Sequence, residues 1–317
     1  MIIYIKSSNK RKKEYRIITT IEEQNGTKIV RKRPVSVFSN NHCLSLISNY
    51  EKLKSIPIST VIVKPEVDGE SVTFPFVEGE VLINEFIHLY KLGKVDQALD
   101  IIRDVRQIIN EIPSEKVNLS INKKFASIFG KVELATQDCI NVGFLDFNLD
   151  NFIRKEGKIY LFDYEWFLNT YIPKDYLYFR TLYYAFGSVR DFLLLRVSAD
   201  KPMIRLFGGV LIPKDVYEKE KYTERDLKRF FHLESKFQEY VNGKPLVDES
   251  VYQLIGVGGN NSPLLDQKNN AETLANAYKE KMEQSKTELD NIYNSKSWRT
   301  IELYRELKRK LGRIFTF

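Results

Sequence analysis

One window constrains the rest of this chain: from Phe144 to Trp166, polar residues recur at fixed intervals in an otherwise apolar run. It reads Phe144-Leu145-Asp146-Phe147-Asn148-Leu149-Asp150-Asn151, continues through Phe152-Ile153, and turns around Gly157. It returns as Ile159-Tyr160-Leu161-Phe162-Asp163-Tyr164-Glu165-Trp166. Phe152-Ile153, the Lys155-Glu156-Gly157 turn and Lys158 to Phe162 predict a β-hairpin. Asn151 then stands just before one strand and Asp163 just after the other, with Asp146 five residues ahead of the amide. A fold that accepts this window gathers two carboxylates and an amide at one end of a hairpin.

The flanking sequence predicts an α+β protein. Ile2 to Ile5, Glu14 to Glu22 and Thr27 to Lys32 are strand-like, Asn25-Gly26 is a strong hairpin turn, and Pro34 ends the third strand. Ser39 to Lys54 reads as a helix with Leu44, Ile47, Tyr50 and Leu53 on one stripe. Val61 to Val67 and Ser71 to Phe76 form a second hairpin about Asp68-Gly69. Helices follow at Leu82 to Leu92 and at Lys94 to Ile112, the latter striped by Leu99, Ile102, Val105 and Ile109. Pro173 to Leu195 and Thr223 to Val241 are also helical. The expected division is a β-rich lobe (1–76), a mainly helical lobe carrying the hairpin (77–255), a linker (256–269) and a helical tail (270–317). In the tail, Tyr278, Met282, Ser285, Leu289 and Ile292 keep coiled-coil spacing. A second amphipathic helix sets Ile301, Tyr304, Leu307, Leu311 and Ile314 against a basic face.

A chain of 317 residues, 43% hydrophobic, can bury one large core or two modest lobes. Its net charge of +7 favours anionic partners such as nucleotides or an acidic membrane surface. The basic runs form no recognition module, which argues against nucleic acid. Cys43 and Cys139 have no metal-ligand spacing and suit a reducing cytoplasm. The opening apolar run is too short for a signal peptide, and no stretch approaches the about 20 apolar residues of a membrane span. A cytoplasmic location is expected, with peripheral contact at the inner face of the plasma membrane through the basic tail helix.

The Asp146–Asn151–hairpin–Asp163 arrangement resembles the aminoglycoside phosphotransferase and choline kinase branch of the protein-kinase-like superfamily. Asp163-Tyr164-Glu165-Trp166 replaces the Asp-Phe-Gly of protein kinases, and Phe144 stands where many relatives carry His. The resemblance implies a two-lobed kinase-like fold that uses ATP and Mg²⁺. Asp146 would be the catalytic base, and Asn151 and Asp163 would hold the metal. Lys32, on a strand with Val30 on its face, would contact the phosphates. Glu51, nineteen residues on, would pair with that lysine from the helix. Ser7 and Ser8, in a glycine-free loop, would cover the nucleotide, and Phe76 to Glu78 would offer hinge groups to adenine. Glu165 is read either as a further metal contact or as solvated surface. His42, His88 and His232 are read as structural, as is the Tyr176, Tyr178, Tyr183 and Tyr184 cluster.

Asn291 to Arg299 resembles a segment near the ends of bacterial surface-polysaccharide enzymes. Kinase-like domain plus helical tail is similar to the kinase portion of methyltransferase–kinase proteins that terminate O-antigen chains in lipopolysaccharide. That likeness implies phosphorylation of a sugar hydroxyl on a surface polysaccharide or its precursor, with residues 270–317 docking a glycosyltransferase. The competing reading is a pseudokinase scaffold for polysaccharide assembly.

Overall fold

Alternating β-branched and charged residues at the start of the chain build the first sheet. In the computed structural model, which describes residues 1–132, 134, 136–194, 203–205, 210–243 and 253–255, three strands run antiparallel in sequence. They are β1 (Ile2–Ser7), β2 (Ile17–Gln24) and β3 (Thr27–Pro34). Asn25 and Gly26 both take positive φ, 50° and 78°, the left-handed pair a tight hairpin needs. Helix α1 (Asn40–Lys54) packs on β3 and on a later strand of the same sheet.

Val61 to Val67, expected as one strand, is two. Pro65 has no backbone N–H to give a ladder, so the run breaks there. The first part, β4 (Val61–Ile62), joins another sheet; β5 (Glu66–Asp68) and β6 (Ser71–Pro75) complete the first in the order β1-β2-β3-β6-β5.

The helical body follows. A short β7 (Glu80–Val81) leads into α2 (Leu82–Lys91) and α3 (Val95–Glu111), which buries the predicted Leu99, Ile102, Val105 and Ile109. Next come β8 (Ser114–Val117), α4 (Lys123–Phe129) and β9 (Gln137–Ile140). The predicted hairpin is β10 (Phe152–Lys155) and β11 (Lys158–Leu161), turned by Glu156 and Gly157 at φ 50° and 74°. Beyond it lie β12 (Ile172–Pro173), α5 (Lys174–Ser188), α6 (Arg190–Leu194) and β13 (Met203–Arg205). The last elements are β14 (Leu211–Pro213), α7 (Lys214–Lys219), α8 (Glu224–Asn242) and β15 (Gln253–Ile255). The hairpin sits in a sheet ordered β4-β11-β10-β7, β4 and β11 being parallel. The architecture is mixed α+β, with small sheets set among helices. No described helix is long and apolar enough to cross a membrane. The expected linker (256–269) and tail (270–317) lie outside the described residues.

An aromatic core supports the hairpin, with Phe86, Phe144, Phe147, Phe152, Phe179 and Phe186 all fully buried. Phe144 packs on Phe147 and stacks on Phe167. Where a histidine was considered, this chain has a core residue. The loop is closed from behind by Gly143, at φ 60°, whose carbonyl accepts from Leu168 N–H at 2.9 Å. A Cβ at this position would overlap the Leu168 carbonyl. Gly143→Ala is therefore expected to lower stability by about 3 kcal/mol, from left-handed strain plus backbone overlap. Gly157→Ala has the same φ problem but open space, and should cost only about 1 kcal/mol. Urea midpoints of the two variants check this; equal losses would mean that the Leu168 contact is irrelevant.

Candidate active site

Lys32 is the centre of the site. Because β3 alternates, Val30 and Lys32 face a cavity of about 480 Å³ while Arg31 turns away to Glu22 and Asp68. The Lys32 ammonium donates to Asp163 Oδ1 and to Glu165 Oε1, each at 2.6 Å. Those carboxylates lie two residues apart on one side of the segment leaving β11. Tyr164 between them points the other way and donates to the Val63 carbonyl at 2.7 Å. Glu165 also accepts from Arg11 at 2.6 Å, and the Arg11 guanidinium lies over Trp166.

These charges decide one another's protonation. Burial opposes charge on Lys32, but Asp163 and Glu165 overcome it and raise its pKa. Burial would raise Glu165, yet Lys32 and Arg11 hold it well below the usual carboxylate range. Asp163 is raised, first by burial and then by the charge of Glu165. Asp146 is pushed well above its ordinary value by burial and by Asp163, with the Trp166 N–H pulling the other way.

The loop from Asp146 to Asn151 is locked by three bonds. Asp146 Oδ2 accepts from Trp166 N–H at 2.7 Å, Asn151 Nδ2 donates to the Asp146 carbonyl at 3.0 Å, and Thr181 on α5 donates to the Phe147 carbonyl at 2.7 Å. With Oδ2 bound, Oδ1 of Asp146 is the oxygen left for another hydroxyl. Likewise Asn151 spends its amide hydrogen and keeps its oxygen.

The cavity has two characters. Ile17, Val30, Phe74, Val77, Ile153 and Phe162 line an apolar part suited to a flat ring. A second hollow of about 190 Å³ shares Lys6, Arg11, Asp150, Asn151, Asp163 and Glu165 with it and also touches Asp146. Asn151 and Asp163 fit a hard cation: both are oxygen donors, and Mg²⁺ takes one or two carboxylates with substrate phosphates rather than a full protein cage. The described residues contain no cluster of three or more His, Cys, Asp or Glu that could hold a metal.

Five of the eight expected site residues come together here: Asp146, Asn151, Asp163, Lys32 and Ser8. The other three do not. Glu51 is exposed and is not a partner of Lys32. The reason is the rotation of α1: Leu53 is buried as expected, but Cys43, Leu46 and Asn49 are the other buried positions, each one residue before Leu44, Ile47 and Tyr50, of which Leu44 is exposed and the other two half-buried. That shift of one residue is about 100° and carries Glu51 outward. Asn49 takes the inward place, donating to the carbonyls of Tyr164 (3.0 Å) and Glu165 (3.3 Å). Ser7 faces away from the cavity and donates to Asn9 at 2.6 Å, because β1 alternates and sends Tyr4, Lys6 and Ser8 inward. Ser8 itself is occupied: its hydroxyl accepts from Ile17 N–H at 2.8 Å and closes the loop. Glu78 points outward beside Lys28, 3.6 Å away, while its neighbours Phe76, Val77 and Gly79 line the cavity.

Sequence reasoning missed Arg11 and Asn49 and left Glu165 undecided. Its position two residues after Asp163, on the same side of an extended segment, was the available signal for Glu165. Among the described tyrosines, Tyr176 and Tyr178 are core as expected, whereas Tyr184 reaches the polar hollow. His42 packs its ring on Tyr15 and Trp166. No protein-family model matches the chain, and no curated protein matches it significantly.

Proposed function

We propose that the chain is an ATP- and Mg²⁺-dependent phosphotransferase with a two-lobed, protein-kinase-like architecture. Its acceptor is a hydroxyl of a bacterial surface polysaccharide or a precursor of one. The observation that carries the phosphotransfer part is that Lys32, Asn151 and Asp163 line a cavity with an apolar side, and that Asn151 and Asp163 also line the adjoining polar hollow at Asp146. The polysaccharide part and a glycosyltransferase partner for residues 270–317 rest on the Asn291 to Arg299 resemblance, and peripheral membrane contact rests on the basic amphipathic pattern from Ile301 to Ile314.

In this reading each side chain has a defined task. Lys32, kept charged by its two carboxylates, holds phosphate oxygens. Glu165 takes the role that a helix glutamate was expected to fill and keeps the ammonium in place when Asp163 turns to metal. Asn151 and Asp163 would hold Mg²⁺, which when bound neutralises charge on the phosphates. Asp146 orients the acceptor hydroxyl through Oδ1 and takes its proton as transfer proceeds. The apolar residues around Val30 and Phe162 receive the base.

Thermal melting with and without ATP and Mg²⁺ tests the nucleotide site. At about 100 times its dissociation constant a ligand adds about 2.7 kcal/mol, a rise of about 5 °C or more in Tm. Asp163→Ala should abolish the metal-dependent part of that rise. A wild-type chain with no shift at saturating nucleotide would overturn phosphotransfer. It would favour a scaffold instead, a reading supported by Arg11 already lying against Glu165 and Trp166 inside the site.

A further inference from the structure

We infer that Arg11 and Lys6 hold the terminal phosphate of the nucleotide, in place of the backbone cradle that a glycine-rich loop would supply. The inference rests on the phosphotransfer reading and assigns side chains to a task that reading leaves to Lys32 alone. Lys32 lines the main cavity only, whereas Lys6 and Arg11 line both that cavity and the polar hollow at Asp146. The phosphoryl group nearest Asp146 lies at this shared boundary, beyond the reach of Lys32 along the cavity wall.

The loop after β1 is not built as a cradle. It has no glycine from Ser7 to Arg16, and three of its amides are taken within the protein. Ser8 N–H donates to the Ile17 carbonyl at 3.1 Å, Arg11 N–H to the Ser8 carbonyl at 3.1 Å, and Lys12 N–H to the Val241 carbonyl at 2.9 Å. The Ser8 hydroxyl is engaged as well, donating to the Ile17 carbonyl at 3.0 Å. Asn9 and Lys10, between these residues, line neither hollow. What β1 and its loop do bring to the boundary are two cationic side chains. They are needed there, because Asp150 and Asp163 line the same boundary and would repel a triphosphate.

Arg11 is fixed in advance. Glu165 joins two cations through separate oxygens, Oε1 with Lys32 and Oε2 with Arg11, each at 2.6 Å. The guanidinium carbon lies 5.3 Å from the centroid of the Trp166 ring. The Lys12 bond to Val241, and the Tyr15 hydroxyl donating to Tyr240 at 2.9 Å, tie the loop to α8. Among the described residues the guanidinium donates through Nη1 alone, to Glu165 and to the Tyr15 carbonyl at 3.4 Å. Nη2 and Nε are left for phosphate oxygens, which a planar guanidinium meets in pairs. The Arg11 side chain is 25% exposed against 3% for Lys32, so a ligand can reach it. Lys6 is exposed on β1. A guanidinium that only plugged the site would compete with phosphate, and its removal would tighten nucleotide binding. One that holds phosphate gives the opposite sign.

The test is titration calorimetry of the full chain with Mg²⁺ and either a non-hydrolysable ATP analogue or ADP. Arg11→Ala and, independently, Lys6→Ala should weaken the ATP analogue about tenfold or more and ADP by less than about threefold. Arg11→Lys should recover part of the loss, because it restores the charge without the paired geometry. Lys6 is exposed, so its variant reports on the phosphate even where Arg11→Ala loosens the loop. Unchanged affinity for the ATP analogue in either alanine variant, equal losses for the two nucleotides, or tighter binding by Arg11→Ala overturns the proposal. Any of these results with a wild type that binds the analogue overturns the Arg11 and Lys6 assignment alone. A wild type that binds neither nucleotide overturns the phosphotransfer reading beneath it as well.

Discussion

On the proposed phosphotransfer reading, Asp146→Asn should reduce phosphoryl transfer by about 10²–10⁴-fold while leaving nucleotide binding intact. The separation follows from how the carboxylate is used. Oδ2 is committed to Trp166 N–H, a bond that an amide oxygen can also accept, so the loop geometry survives the exchange. What disappears is the oxygen that, on that reading, would take the acceptor's proton. Burial and the nearby Asp163 charge already disfavour ionised Asp146, so a neutral amide should leave the melting temperature equal or slightly higher. Initial rates with a working acceptor, run beside the nucleotide-induced melting shift, read both halves. A rate within threefold of wild type would remove Asp146 from the chemistry.

Glu234→Ala should cost about 3–5 kcal/mol, enough to threaten the fold. Glu234 is 1% exposed and is the acceptor for Arg180, Tyr176, Tyr184 and Gln238 at once. Its removal leaves a buried guanidinium with no counter-charge and two phenols with no acceptor. In the folded protein Glu234 outweighs the burial that opposes the Arg180 charge; once it is removed the guanidinium, which is effectively always protonated, cannot escape by losing its proton. Calorimetry should show a fall of about 10 °C. The double variant Glu234→Leu, Arg180→Met should recover much of it, because an apolar pair of similar size leaves no orphaned charge. A single variant melting within two degrees of wild type would mean that the network carries no stability.

Much of the chain could be read from local pattern. The hairpin at Phe152 to Phe162, the stripe of α3 and the Asn25-Gly26 turn are set by residues close in sequence. Asp146, Asn151 and Asp163 share the site because the hairpin between them is short. The failures have a common cause. Glu51 was paired with Lys32 by the kinase resemblance, on a helix face read from periodicity, but a buried asparagine sets the rotation of α1 by bonding to carbonyls 115 and 116 residues away. Periodicity counts apolar residues and has no means of recognising Asn49 as an inward position. Arg11 reaches Glu165 across 154 positions, and no spacing rule predicts that meeting. Pro65 did carry a local signal, and the continuous Val61 to Val67 strand was an overreading of β-branched content. The polar hollow was invisible because its lining comes from the catalytic loop, α5 and α8, which only tertiary packing unites.

Helix α5 fixes the loop from Asp146 to Asn151 through Thr181 and lines the polar hollow beside it through Arg180 on the adjacent residue. Those two duties are therefore mechanically inseparable. A mutation on α5 chosen to reshape that hollow would disturb the geometry of Asp146 with it, so change along that helix should be slow. The opposite wall, where Gln238 and Asn242 project from α8, carries no such obligation to the loop. Changes to the lining of the hollow should be tolerated there first.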